Sequence, residues 1–84
     1  MTISVRLFAS LRDRAGQSEW SADLPDGATV RELMNEISRH FPQIADRLPL
    51  ARIAVNDEYV TAEASLHSGE CVVLIPPVSG GAHV

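Results

Sequence analysis

Five consecutive apolar residues, Cys71, Val72, Val73, Leu74 and Ile75, run without a polar interruption into Pro76 and Pro77. A strand that is apolar on both faces belongs in the middle of a sheet or beneath a covering layer. Neither proline can donate to a strand ladder, so the strand spanning Glu70 to Ile75 has to end there. Beyond the prolines the side chains dwindle through Val78 and Ser79 to Gly80 and Gly81. The expected arrangement is a compact body at 1–77, with this strand at its centre, and a slender flexible tail at 78–84 reached through a stiff spacer.

The rest of the chain supplies what such a strand needs around it. Thr2 to Phe8 alternates, with Ile3, Val5 and Leu7 on one side and Ser4, Arg6 and Phe8 on the other, and Gln17 to Leu24 alternates with Trp20, Ala22 and Leu24 in phase. Between them, Ala9 to Gly16 reads as a loop with at most a turn of helix from Leu11 to Ala15. After the Pro25-Asp26-Gly27 turn, Thr29 and Glu32 form a capping box that starts a helix, and Val30, Leu33, Met34, Ile37 and Phe41 make its apolar stripe. Pro42 ends it, and Ile44, Ala45 and Leu48 allow one more short helical turn. Arg52 to Asn56 and Glu58 to Thr61 read as a small hairpin about Asn56 and Asp57, followed by a turn at His67 to Gly69.

The order strand, strand, helix, strand, strand, strand with one main helix predicts an α+β fold of the β-grasp (ubiquitin-like) kind. In it a mixed sheet packs on the helix, and the first and last strands lie parallel at the centre. A ferredoxin-like fold needs a second full helix, for which the proline-bounded stretch from Phe41 to Leu50 is too short.

Composition excludes several classes of function. The 84 residues carry seven basic side chains, all arginine, against eleven acidic ones, for a net charge of -4, which is not the clustered positive surface that nucleic acid requires. No apolar run is long enough to span a membrane and no basic head precedes one at the start, so a cytoplasmic protein is expected. The lone Cys71 lies in an apolar run and reads as a small interior hydrophobe. His40, His67 and His83 lack metal-ligand spacing, Asp57 and Glu58 are turn residues, and no phosphate-binding glycine motif or Ser/His/Asp arrangement is legible. Neither a bound cofactor nor a metal is expected.

The tail remains. Two glycines present no Cβ and enter a channel too narrow for other residues, while Pro76 and Pro77 reduce the ordering cost of insertion. A terminal glycine carboxylate is open to attack on a nucleotide phosphate, giving an acyl-adenylate from which acyl transfer to sulfur follows. The absence of lysine means that no internal ε-amine captures such an acyl group. On this reading the chain supplies a substrate and its partners supply the catalytic groups.

The residues VRLFASLRDRAG (Val5 to Gly16), AVN (Ala54 to Asn56), SGE (Ser68 to Glu70) and above all LIPPVSGG (Leu74 to Gly81) resemble the MoaD/ThiS family of ubiquitin-like sulfur carriers, which includes molybdopterin synthase small subunits. The resemblance spans residues 2–81 and implies a non-catalytic small subunit that serves molybdenum cofactor biosynthesis. An E1-like adenylyltransferase of the MoeB type would consume ATP to adenylate Gly81, and a sulfur-donating enzyme would convert the adenylate to a thiocarboxylate. The tail, with Gly80 and Gly81 at its reactive end, would then donate sulfur to cyclic pyranopterin monophosphate inside a large subunit of the MoaE type, in a heterotetramer. Phe8, Leu74, Pro76, Pro77, Val78 and Ser79 would contact the partners. One departure from the family pattern is that Ala82, His83 and Val84 follow Gly81, which implies a processing protease. A sister carrier serving cysteine, thiamin or tRNA thiolation, or a ubiquitin-like protein modifier or interaction module, are the alternatives.

Overall fold

The computed structural model describes residues 1–77. Within them the elements are β1 (Thr2–Leu7), α1 (Ala9–Ala15), β2 (Glu19–Asp23), α2 (Val30–His40), two 3₁₀ turns (Pro42–Ile44 and Leu48–Leu50), β3 (Arg52–Val55), β4 (Glu58–Tyr59) and β5 (Cys71–Ile75). The sheet order is β2-β1-β5-β3-β4. The apolar strand is central as expected: β5 runs parallel to β1, with Val5 opposite Val72 and Leu7 opposite Leu74, and antiparallel to β3. This is the β-grasp topology. Among the described residues no helix is long and apolar enough to cross a membrane.

Helix α2 starts where the capping box places it. The Glu32 amide donates to Thr29 Oγ1 at 3.4 Å and the Thr29 amide donates to Glu32 Oε1 at 3.1 Å, so two of the orphan donors of the first turn are satisfied. Two more are met from outside the helix, where the amides of Val30 and Arg31 donate to the carbonyls of Ala64 and Ala62 at 2.9 and 2.8 Å. The stripe of α2 lies on the sheet, with Val30, Leu33 and Ile37 fully buried against Ile3, Val5, Leu7, Val72 and Leu74 in one core.

Two elements differ from expectation. Within Ala9 to Gly16 the chain forms the seven-residue helix Ala9–Ala15 rather than a loop, because Leu11 is fully buried and pins it to the body, while Gly16 at φ 81 closes it by donating to the Arg12 carbonyl. The fourth strand, expected over Glu58 to Thr61, is only Glu58–Tyr59. The Val60 amide still donates to the Ile53 carbonyl at 3.0 Å, but the carbonyls that follow are the ones turned toward the N-terminus of α2. Arg31 pairs with Glu63 across the same junction. This hydrogen bond and its charge hold the exposed Glu63 carboxyl below the usual carboxylate range.

Candidate functional site

α2 covers one side of the sheet, and the other side carries the site. Strand pairing sets which residues share that outer face, and one row crosses all five strands: Glu19 on β2, Arg6 on β1, Val73 on β5, Ala54 on β3 and Tyr59 on β4. A neighbouring row holds Ser21, Ser4 and Cys71, and at the far end Ile75 stands opposite Arg52. The face is therefore divided. Its β2–β1 half is polar, with Ser4, Ser21 and an Arg6–Glu19 ion pair at 2.9 Å. Its β5–β3–β4 half is apolar, where Phe8, Ala54, Tyr59, Val73 and Ile75 line a shallow depression bounded by Arg6 and Asp57.

Two side chains stand out from this apolar half. Phe8 is 46% exposed and Tyr59 is 66% exposed. Phe8 follows the last residue of β1 in extended conformation, with its amide donating to the Leu74 carbonyl at 3.2 Å. Ala9 then turns the chain away at φ 51, a left-handed geometry that costs a non-glycine residue about 1 kcal/mol. Tyr59 is placed by the two-residue turn at Asn56 and Asp57, both at positive φ, the geometry that a tight hairpin demands. Its ring lies under the Arg52 guanidinium, 5.4 Å from the centroid, within cation–π range.

Pro76 is half-buried and Pro77 exposed, directly after Ile75 on the apolar half. The spacer therefore leaves the body from the edge of the depression. Val78, Ser79, Gly80 and Gly81, with the three residues after them, lie outside the described residues.

Leu74 requires a correction. It is fully buried and sits in the core between Leu7 and Ile53, so it presents no side chain to a partner. The outward residues of β5 are Cys71, Val73 and Ile75, each half-buried. Cys71 is thus on the outer face rather than in the interior. His40 stacks on Trp20 with centroids 4.6 Å apart, and the His67 amide donates to Glu70 Oε1 at 2.6 Å. The His40 ring is thus packed on the body, while the exposed His67 ring has its Nδ1 3.6 Å from Glu70 Oε1.

Arg52 and Tyr59 stand together on the candidate face, and sequence reasoning did not single them out. A usable signal lay in the hairpin: with the turn at Asn56 and Asp57, a tight register sets Tyr59 opposite Ala54, outward with Arg52.

A five-stranded mixed sheet in the order β2-β1-β5-β3-β4 packed on α2, with an outer face that is apolar where the last strand ends, defines a ubiquitin-like β-grasp domain. The ThiS family model matches residues 5–81, ending on Gly81, and the chain belongs to that family. It is 36% identical over 83 residues to the molybdopterin synthase sulfur carrier subunit of Chlamydomonas reinhardtii, covering 96% of this chain and 100% of that one. Among solved structures it superposes on SAMP1 from Haloferax volcanii with a TM-score of 0.89 at 25% identity, over 96% of this chain and 100% of that one. In the BexX/CysO complex of Amycolatopsis orientalis it matches a chain with a TM-score of 0.73 at 28% identity, over 94% and 99% of the two chains.

Proposed function

We propose that this chain is the sulfur carrier of a molybdopterin synthase. The observation that carries this reading is the family match over residues 5–81, which closes on the second glycine, together with the 36% identity to a carrier subunit of that synthase. Three residues follow Gly81, so Gly81 has no free carboxylate until the peptide bond after it is cut, and a processing protease is part of the scheme.

Once free, a Gly81 carboxylate oxygen attacks the α-phosphate of ATP in an E1-like enzyme, and pyrophosphate leaves. A persulfide sulfur from a donor enzyme then attacks the carbonyl and AMP leaves. Reductive cleavage of the acyl disulfide by a thiol gives the thiocarboxylate, which the large subunit uses to place sulfur on the pyranopterin. The body's contribution is positional. Phe8, Val73, Ile75 and Tyr59 form the apolar centre of a docking face, and the polar half with its ion pair forms a rim, the usual anatomy of a specific interface.

The solved BexX/CysO complex supports a second reading, in which the same tail serves a different sulfur acceptor, and the likeness to SAMP1 supports a modifier. Binding distinguishes them. With Phe8 and Val73 both replaced by serine, affinity for a synthase large subunit is expected to fall at least tenfold, as for a pair of central apolar contacts worth about 1.4 kcal/mol or more together. Titration calorimetry checks it. Unchanged affinity would remove the docking face from the account, and no binding by the unaltered chain would favour another acceptor.

A further inference from the structure

The chain has seven arginines, and six of them, Arg6, Arg12, Arg14, Arg31, Arg39 and Arg47, pair with a carboxylate. Among the described residues Arg52 is the one arginine without such a partner. It is exposed, and its guanidinium lies 5.4 Å from the centroid of the Tyr59 ring. A ring face attracts a cation without neutralising it, so the charge stays available to a second group.

The place of Arg52 on the sheet decides what that group meets. Arg52 pairs in register with Ile75, the last residue of β5, and Ala54 pairs with Val73 at the next outward position of the same two strands. The cation therefore stands at the end of the apolar depression where Pro76 begins the spacer. Arg6, the other cation beside the depression, is already paired with Glu19 at 2.9 Å. Asp57 bounds the depression from the hairpin turn, beyond Val55 and so about 10 Å or more along β3 from Arg52. That separation keeps Arg52 and Asp57 from pairing with each other and leaves opposite charges at the two ends of an apolar floor. A uniformly apolar face accepts a partner in several orientations. With opposite charges at its ends, a reversed partner would bring like charges together.

We propose that Arg52 is a specificity-determining residue of the docking face: held over Tyr59, it pairs with a carboxylate that the synthase large subunit places beside its apolar contact with Ile75. A planar guanidinium stacks on a ring and still offers N–H groups at its edge to both oxygens of a carboxylate. Because Tyr59 already restricts the side chain, less freedom is lost when the pair forms. This rests on the reading that the outer face meets a synthase large subunit.

Titration calorimetry of the full chain against a synthase large subunit, at low and at high salt, is the test. Position 52 lies outside the core, so its variants keep the fold. At low salt Arg52→Gln is expected to weaken binding about fivefold and Arg52→Glu about fiftyfold, while Arg52→Lys stays within about threefold of the unaltered chain. At 1 M salt, where charges are screened beyond about 3 Å, the loss on Arg52→Gln should shrink. Arg39→Gln, on the exposed side of α2, should bind as the unaltered chain does. Full affinity in Arg52→Gln overturns the proposal and leaves the docking face standing. So does an equal loss in Arg52→Gln and Arg52→Lys that salt does not change, which would make Arg52 a packing partner of Tyr59 rather than a charge. No binding by the unaltered chain, or binding that replacing both Phe8 and Val73 by serine does not weaken, overturns the reading beneath it and the proposal with it.

Discussion

A chain ending at Gly80 is expected to acquire no sulfur, while unfolding at the same denaturant concentration as the chain ending at Gly81. The first half follows from the chemistry proposed for the tail, in which the reacting carbonyl must sit at a fixed distance from a docked body. Removing one residue shortens that distance by up to about 3.5 Å, and misplacement of a reacting atom by far less is enough to suppress a transfer step. The second half follows from the core, whose buried side chains among the described residues all lie between Ile3 and Leu74. Urea unfolding and intact mass on the two chains check both halves. A large fall in midpoint would mean that the tail supports the body, contrary to the division of labour argued above.

Replacing Leu33 by alanine is expected to cost about 2 to 5 kcal/mol, the range for deleting a large buried aliphatic side chain when the surroundings cannot collapse into the space. Leu33 is fully buried, and so is Ile37 one turn on. They stand at the centre of the only long helix among the described residues and pack in one core with Ile3, Val5, Leu7, Val72 and Leu74 of the sheet. A domain of this size has a total stability of the same order, roughly 5 kcal/mol, so either alanine variant should populate unfolded chain measurably at room temperature. Urea or guanidinium titration gives the figure. A cost below about 1 kcal/mol would mean that the α2 stripe does not face the sheet.

How far the fold was legible depended on whether local signals and tertiary ones agreed. α2 was readable because its capping box, its apolar spacing and Pro42 all pointed the same way, and β5 because two prolines ended an apolar run. α1 was obscured by Arg12, Asp13 and Arg14, three charges around one apolar anchor. The informative pair was Leu11 with the glycine cap at Gly16, and a helix that short gains its stability from the burial of Leu11 rather than from its own turns. The end of β4 was not written locally, since it is set by the need of the α2 amides for the carbonyls of Ala62 and Ala64.

At the candidate site, the tail motif was plain and the proposed docking face only half so. Phe8 was readable because it breaks the alternation of β1. Leu74 was misplaced because a strand that is apolar on both sides has no phase of its own; only its register against Leu7 and Ile53 assigns it to the core. For the same reason Val73 and Ile75 were not singled out. Tyr59 and Arg52 depend on pairing across β3, β4 and β5, which no single stretch of sequence displays.

The account is tested most directly by weighing the chain before and after activation. The chain ending at Gly81 is incubated with its activating enzyme, ATP, a persulfide donor and a thiol reductant, beside the same chain carrying Ala82, His83 and Val84. The prediction is a mass gain equal to the exchange of one oxygen for sulfur in the first and no gain in the second. A first chain that stays unchanged, with an enzyme competent on another carrier, or a second that gains sulfur with its last three residues still attached, would contradict it.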